Sequence, residues 1–309
     1  ETPETPNVEE PAKEKVYRFA DSADVTSLNP HNQVDTLIGD IQAFTDSLLY
    51  RKIPTNNGAS WEYVGDIAAG EPYLADDDGY VWHIDIRKDA KWENGDPINA
   101  HTFEYSYKML LDPNLVNALA SFMYDYYITV ENAYEYFAQN QEGMEKVEWE
   151  DVGIKAVDDY TLEIRTDELY TGDLVMEHLM LRSMYPVYEP YYEAGMNEGR
   201  TATTYGATLE QFMGCGPYHF DSWVPDASRT YSKNPDHWMA EYFNFDKIDV
   251  RVVPEANARI QMFENGEIDV MGISASALDI YRDDPRLQKY SSLYAYHIDI
   301  NSLNTENPI

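Results

Sequence analysis

The chain has a single cysteine, few basic residues and no long apolar run. Because Cys215 is the only cysteine, no disulfide bond can form within these 309 residues. No stretch of about eighteen consecutive apolar residues occurs, so the sequence predicts no membrane-spanning helix. Lys and Arg total 22 against 56 Asp and Glu, which gives a formal net charge of −34. This charge repels nucleic-acid phosphates and anionic lipid headgroups, so neither is expected as a partner.

The excess of acidic residues has a simple interpretation and a functional one. In the simple one, the charge keeps an exported protein from associating with itself. In the functional one, the charge attracts cationic ligands within about 8 Å, the Debye length at physiological salt. Hydrophobic residues make up 43% of the chain, which predicts a packed core in one large domain or two ordinary ones. The 26 tyrosines suit half-wet binding surfaces, although most of them are expected to pack.

A strand, a tight turn and a capped helix are predicted between residues 80 and 112. Apolar residues alternate through residues 80–87, the pattern of a half-buried strand. Asn94-Gly95 supplies the positive φ angles of a tight turn. Asn99 can cap a helix that ends before Pro113.

The same pattern reasoning predicts further elements along the chain. Alternation and turn residues favour strands, and three-to-four spacing favours helices. The chain closes on a strand–helix–strand unit at 248–253, 255–264 and 268–271, in which Gly266 fits the left-handed position after the helix and the two strands would run parallel. The other predictions are strands at 16–20, 152–157, 161–165, 217–223 and 229–233 and helices within 37–49, 125–149 and 174–181.

Five stretches carry a resemblance to a known family. They are SLNPH at 27–31, IRKDAKWENGDPINAHTF at 86–103, VGIKAVDDYTLEI at 152–164, GCGPYHFDSW at 214–223 with Asn234-Pro235 and Trp238 behind it, and RIQMFENGEID at 259–269. In this order they resemble the family 5 extracellular solute-binding proteins, the receptors of peptide ABC importers. The departures are small: Cys215 stands where Thr is usual, and Asp236-His237 precede Trp238 where a different residue and Tyr are usual.

The resemblance implies a fold and a division into domains. The fold would be α/β and periplasmic-binding-protein-like of type II, with a mixed-sheet lobe and an inserted smaller α+β domain. Residues 1–15 would be a flexible tether, residues 16–50 and 171–309 a discontinuous lobe I, and residues 51–170 the inserted domain II. Domain III of the longer family members is expected to be absent from this chain.

The candidate site is a cleft between lobes. Ligands of open α/β sheets lie beyond the carboxyl ends of strands, which points to Met271, Gly272, Ile273 and Ser274 after the last predicted strand. The resemblance places this segment and the loop of Val34, Asp35 and Thr36 along a peptide groove, where backbone groups would bind an extended ligand. The family's acidic anchor for the peptide amino group would lie in domain III, which leaves Asp35 as a substitute candidate.

Three tyrosines could complete this cleft. Tyr124, Tyr126 and Tyr127 would form an aromatic wall contributed by domain II. The alternative is that these rings pack in the core in the ordinary way.

The resemblance implies the extracellular substrate-binding subunit of an ABC importer, which binds oligopeptides by closure of two lobes and is not an enzyme. Its partners would be the oligopeptide and the permease subunits, and no cofactor is expected. It would be a cell-surface lipoprotein or a periplasmic protein that contacts the membrane only through an N-terminal lipid anchor. Alternative ligands are oligosaccharides, nickel chelates and haem. Two other classes stay open: a secreted hydrolase that uses two carboxylates, and an adhesin or signalling module that uses one lobe alone.

Other motifs give little support to catalysis or to a metal site. Asp76-Asp77-Asp78-Gly79 looks like a calcium loop, but Leu74 falls where the first carboxylate is required, so a hairpin turn is preferred. Cys215 and His219 could share one strand face, yet no neighbouring residue in the sequence would orient the histidine. The seven histidines show no metal-binding spacing. Asp249 with Asp269, or Glu264 with Glu267, could pair as in glycosidases, although so acidic a chain supplies such pairs by chance.

Removal of residues 1–13 is expected to leave the melting temperature nearly unchanged, because this segment brings almost no apolar surface that could dock. Differential scanning calorimetry of the shortened and the 309-residue chains measures the difference. A fall of several degrees would show instead that the segment packs against the folded part.

Overall fold

The strands of the computed structural model form three sheets within the residues that it describes, 14–32, 34, 37–56, 60–273 and 277–288. Helices pack between and beside these sheets. The strands are β1 Val16–Asp21, β2 Tyr50–Thr55, β3 Ser60–Gly65, β4 Tyr73–Leu74, β5 Val81–Asp85, β6 Ile154–Asp158, β7 Thr161–Arg165, β8 Tyr218–Val224, β9 Ser228–Lys233 and β10 Lys247–Val252. The helices are α1 Ile38–Thr45, α2 Ala100–Leu111, α3 Ala133–Ala138, α4 Gly172–His178, α5 Glu189–Ala194, α6 Ala256–Glu264 and α7 Leu278–Tyr281.

The first sheet joins the beginning of the described chain to its last third. Its strand order is β1-β10-β9-β8, and β1 runs parallel to β10 while the other pairs are antiparallel. Val16 thus lies opposite Lys247. The pairing of β1 with β10 can form only after most of the chain has been synthesised, because these two strands lie far apart in sequence.

A buried arginine holds this closure. Arg229 of β9 is 1% exposed and forms ion pairs with Asp21, at the end of β1, and with Asp24, whose Oδ1 lies 2.8 Å from Nη1. Asp24 also accepts hydrogen bonds from the Trp223 indole and from the backbone N–H of Asp226. Burial raises the pKa of Asp21 even though Arg229 opposes the shift. Burying the carboxylates of Asp21 and Asp24 therefore costs free energy, and the positive charge of Arg229 is needed to offset that cost.

The second sheet, of order β4-β5-β7-β6, lies between the two halves of the first one along the sequence. Helix α2 packs on it through β6 and β7 and buries Phe103, Tyr107 and Leu110. Asn99 caps α2 in a reciprocal capping box with Thr102, and Gly95 has a φ of 91° in the turn before it. The strand, turn and helix predicted here are confirmed, as is the hairpin of β6 and β7.

The third sheet is the hairpin of β2 and β3. The buried carboxylate of Asp66 connects it to Trp238, which lies between β9 and β10 in sequence. Asp66 accepts two hydrogen bonds from Arg51 and one of 2.9 Å from the Trp238 indole. Close backbone packing adds to this tie: a Cβ on Gly216 would lie 2.4 Å from the backbone of Thr45. The division of the chain into lobe I at 16–50 and 171–309 and domain II at 51–170 stays a prediction.

Two predicted elements are wrong. Of the helix predicted within 125–149 only Ala133–Ala138 forms, because Asn132 precedes it at a φ of 58° and Gly143 follows at 88°, both left-handed. Residues 268–271 form no strand, and β10 takes β1 as its parallel neighbour instead. The left-handed Gly266 after α6 is confirmed, with a φ of 72°.

Two other predicted helices form with shifted bounds. The helix within 37–49 ends at Thr45, since Asp46 adopts an extended backbone. The helix predicted within 174–181 is α4, Gly172–His178. In the part of the chain that the structure describes, no helix is long and apolar enough to cross a membrane.

Substitution of Arg229 by Met is expected to lower the free energy of unfolding by about 3–5 kcal/mol, because two carboxylates lose their cation in a buried site. Urea unfolding followed by circular dichroism measures the change. Arg251→Met is the matched control in the same sheet: its ion pair with Glu267 is exposed, so its loss should cost at most about 1 kcal/mol. Equal effects of the two substitutions would contradict the role given to Arg229.

Candidate functional site

The first predicted site segment follows a tightly fixed loop. Val34 is exposed, whereas Asp35 and Thr36 lie outside the described residues. The preceding residues 28–31 are buried: Leu28 N–H donates to the Gly206 carbonyl, and His31 N–H donates to Asn29 Oδ1. Gly206 adopts a φ of 72°, and a Cβ there would lie 2.6 Å from the Asn29 nitrogen, so glycine is required. The backbone of residues 28–31 is thereby held in place.

Hydrogen bonds join this loop to the tyrosine-rich segment. The Leu119 N–H donates to the His31 carbonyl at 3.2 Å, and the Ala118 N–H donates to Asn32 Oδ1 at 3.0 Å. The 3₁₀ helix Ala120–Met123 follows at once and leads into the three candidate tyrosines. The structure thus joins two stretches of chain that flank predicted site segments, although Asn32 and Ala118 lie 86 residues apart in sequence.

The three tyrosines differ in what they can do. Tyr124 is half-buried and packs edge-on against Tyr134, with ring centroids 5.2 Å apart, and also against Phe137. Burial raises its pKa. Tyr126 is 52% exposed and Tyr127 41% exposed, and their ring centroids are 4.6 Å apart. Tyr124 therefore packs against neighbouring rings, as the alternative interpretation of the sequence predicted. Of the three candidate tyrosines, Tyr126 and Tyr127 have exposed rings that a ligand could contact.

A shallow depression of about 340 Å³ adjoins Tyr124. Besides Tyr124 and Tyr134 it is lined by carboxylates, and burial together with Glu135 and Glu168 raises the pKa of Asp167 above its ordinary value. The remaining lining residues are Asp125, Thr129, Val130 and Glu135.

The third predicted segment follows Asp269, whose backbone N–H donates to the carbonyl of Arg18 in β1. Met271 and Ile273 are half-buried and Gly272 is exposed, while Ser274 lies outside the described residues. The backbone groups of these three residues make no hydrogen bond with any other residue that the structure describes. No hydrogen bond within the described ranges links this segment to Val34 or to the tyrosines.

Cys215 is not placed for catalysis. It is 1% exposed, and its backbone N–H donates to the Thr45 carbonyl at 2.9 Å. Burial raises the pKa of the Cys215 thiol well above its ordinary value, and Asp46 adds to the shift. His219 does have an orienting neighbour, which the sequence did not reveal: its Nδ1 lies 3.3 Å from Glu93 Oε1. Among the described residues no hydrogen bond joins the His219 side chain to that of Cys215.

The carboxylate pairs considered for hydrolysis are each bound to separate cations. Asp249 lies 3.0 Å from Lys247, and Asp269 pairs with Arg18. Glu264 pairs with Arg286 and Glu267 with Arg251. Hydrogen bonds from Arg18 and Arg286 lower the pKa values of Asp269 and Glu264, respectively, so neither is a general acid near neutral pH.

The acidic loop at 76–79 is a hairpin turn. Asp76 Oδ1 accepts hydrogen bonds from the backbone N–H groups of Gly79 and Val81, and Gly79 has a φ of 87°. In the described part of the chain, no group of three or more His, Cys, Asp or Glu residues could hold a metal ion. Three histidines of the described residues are buried, and burial lowers the pKa of His31 and His178 to about 3 and that of His237 to about 4.

Comparison with known proteins gives a consistent result. The family model described as bacterial extracellular solute-binding proteins, family 5 Middle, matches residues 62–309. The dipeptide-binding protein DppE of Bacillus subtilis is 28% identical over 262 residues, which cover 79% of this chain and 45% of that protein. The oligopeptide-binding protein OppA of Bacillus subtilis is 30% identical over 217 residues, 70% of this chain and 36% of that protein.

Solved structures are similar in fold. Listeria monocytogenes OppA bound to peptide superposes with a TM-score of 0.75 at 24% identity, over 89% of this chain and 49% of that one. The pheromone receptor PrgZ has a TM-score of 0.75 at 24% identity, over 88% and 50%. The predicted periplasmic-binding-protein-like fold of type II is therefore confirmed. The chain spans half or less of the length of the relatives it matches.

A thiol reagent such as 5,5′-dithiobis(2-nitrobenzoic acid) is expected to modify Cys215 slowly in the folded protein and rapidly in urea, because burial keeps the thiol protonated and inaccessible. Absorbance of the released thiolate measures both rates. Rapid, stoichiometric labelling of the native protein would contradict this assignment and restore a reactive-thiol role.

Proposed function

Because the chain belongs to the bacterial extracellular solute-binding proteins of family 5, we propose that it is part of the substrate-binding subunit of an ABC importer and that its ligands are oligopeptides. The relatives DppE and OppA of Bacillus subtilis are named for binding dipeptides and oligopeptides. Peptides share a backbone whatever their side chains, so a receptor for them needs accessible hydrogen-bonding groups more than fitted pockets.

One observation carries this proposal: segment 271–273, formed by Met271, Gly272 and Ile273, has backbone groups without partners among the described residues. Unpaired backbone N–H and C=O groups suit an extended peptide, which can form main-chain hydrogen bonds with them. A Cβ built on Gly272 would meet no atom within 4 Å, so space is open beside this backbone. Val34 with Asp35 and Thr36, and Ser274 after segment 271–273, remain proposed members of the same groove.

Exposed aromatic rings would supply the other wall. Tyr126 and Tyr127 present ring faces that can pack on peptide side chains of many kinds. The basic residues of the described part mostly lie on carboxylates, as Arg18 does on Asp269, so recognition of a ligand carboxylate would fall to another part of the protein. Closure of two lobes around the peptide would bury it and signal its presence to the permease subunits.

The proposed location is outside the cytoplasmic membrane, with a lipid anchor at the N-terminal end of the protein. The family is named for extracellular proteins, and residues 1–15 have the composition of a spacer between an anchor and a folded domain. We propose no enzymatic activity, since the carboxylates considered for hydrolysis are bound to separate cations.

Oligosaccharides are the second candidate ligands, because the adjacent exposed rings of Tyr126 and Tyr127 could also stack on sugar rings. Nickel chelates and haem are less supported. Those ligands would need grouped histidines or free arginines, whereas His31, His178 and His237 are buried and the exposed His101 lies beside Glu104 and Asp159.

Binding of trialanine to the 309-residue chain is expected to be saturable but weak, with a Kd in the millimolar range. The chain covers less than half of DppE, and loss of about 4 kcal/mol of contacts raises a micromolar Kd roughly a thousandfold. NMR titration measures the affinity, with maltotriose, a nickel–histidine chelate and haemin as matched probes.

Micromolar binding of trialanine would contradict the two-lobe mechanism and favour a self-contained module. A saturable response to maltotriose without one to trialanine would contradict the peptide assignment. Chromatography of the same samples after incubation detects hydrolysed products, and turnover would overturn the proposal that the protein is not an enzyme.

A further inference from the structure

Segment 271–273 follows directly on an unusually complete contact between two distant residues. Arg18, in β1, and Asp269 share four hydrogen bonds. The guanidinium donates to both carboxylate oxygens, at 3.1 Å from Nε and 2.7 Å from Nη2. The backbone N–H of Arg18 donates to the same carboxylate at 2.8 Å, and the backbone N–H of Asp269 donates to the Arg18 carbonyl at 2.8 Å. Backbone and side chain of both residues are thus fixed together.

The far side of the segment is anchored more remotely. Tyr281 of α7 donates a hydrogen bond of 3.0 Å to Glu264, at the end of α6, and Arg286 donates one of 2.9 Å to the same carboxylate. The Arg286 guanidinium also lies 4.9 Å from the centre of the Phe263 ring. Among the hydrogen-bonded residues that the structure describes, Asp269 is therefore the nearer anchor: one residue separates it from Met271, whereas seven residues separate Ile273 from Tyr281.

This contact has the properties of a positioning device. Both side chains are more than a third exposed, and an ion pair so exposed contributes little to global stability. Its bidentate geometry instead sets an orientation, since a planar guanidinium fits a carboxylate in one way. The hydrogen bonds from Arg18 keep the pKa of Asp269 below its ordinary value, so the contact persists at neutral and mildly acidic pH.

We propose that Arg18 and Asp269 are positioning residues for peptide binding, which hold segment 271–273 beside the edge of β1 with its backbone groups open to the ligand. Neither residue needs to touch the ligand. Their effect is to fix the segment before binding, which lowers the entropic cost of ordering it. The inference rests on the proposed function, but the claim that Arg18 and Asp269 fix segment 271–273 can be tested without any ligand.

The test uses the 309-residue chain labelled with ¹³C in its methionine methyl groups. The Met271 resonance is assigned as the one lost in Met271→Leu. Asp269→Asn is expected to move this resonance toward the random-coil position and narrow it, with little change in melting temperature. Glu267→Gln is the matched control, because Glu267 lies in the same turn and pairs with an arginine of β10, Arg251, so the Met271 resonance should not move.

A second variant keeps the test decisive if Asp269→Asn does not fold. Arg18→Lys keeps the positive charge and the backbone hydrogen bonds but lacks the forked geometry, so it should produce a smaller shift in the same direction. An unchanged Met271 resonance in both Asp269→Asn and Arg18→Lys would overturn the proposal. So would equal shifts in Glu267→Gln, since the segment would then depend on the turn as a whole.

Titration with trialanine distinguishes the proposed peptide binding from the proposed positioning role of Arg18 and Asp269. If both are correct, the peptide shifts the Met271 resonance of the unsubstituted chain, and Asp269→Asn raises the Kd about fivefold while Glu267→Gln leaves it unchanged. Absence of any peptide response in the unsubstituted chain would contradict the proposed function, while the ligand-free spectra still decide the positioning role. An unchanged Kd in Asp269→Asn despite a shifted resonance would show that the contact orders the segment without serving binding.

Discussion

The parallel pairing of β1 with β10, closed by Arg229, is the constraint on which the rest of the structure depends. It brings residues 16–21 beside residues 247–252, so everything between them must leave the first sheet and return to it. Arg229 supplies the charge that lets Asp21 and Asp24 be buried at the end of this pairing. The second sheet with α2 and the hairpin of β2 and β3 are built from the chain that this closure encloses.

Carboxylates far outnumber cations in this protein, and most of its arginines form ion pairs with Asp or Glu side chains of the same chain. Arg229 and Arg51 hold buried carboxylates, while others fix turns and helix ends on the surface. Because 56 Asp and Glu outnumber 22 Lys and Arg, a strong net negative charge remains after these ion pairs form. Arginines in contact with a carboxylate are Arg18, Arg51, Arg87, Arg165, Arg200, Arg229, Arg251, Arg282 and Arg286.

The candidate site draws on three separate parts of the sequence, and their connections differ. The loop before Val34 is joined to the tyrosine-rich segment by two hydrogen bonds, which the His31 carbonyl and the Asn32 side chain accept. Segment 271–273 is joined to β1 through Asp269 and Arg18. Since β1 leads into residues 22–32, both connections meet on one stretch of chain. A binding surface assembled in this way can bring distant segments together without any motif that spans them.

The sequence by itself determined most of the local elements and the family. Asn99 as a helix cap, Gly95 and Gly266 in left-handed turns and the hairpin of β6 and β7 follow from short-range sterics and hydrogen bonds, which neighbouring residues settle among themselves. Only the tertiary structure decided that β1, and not residues 268–271, lies beside β10, that Tyr124 packs while Tyr126 and Tyr127 are exposed, and that Asp269 binds Arg18. These outcomes depend on residues more than a hundred positions away or on competition for a buried site, and periodicity carries no information about either.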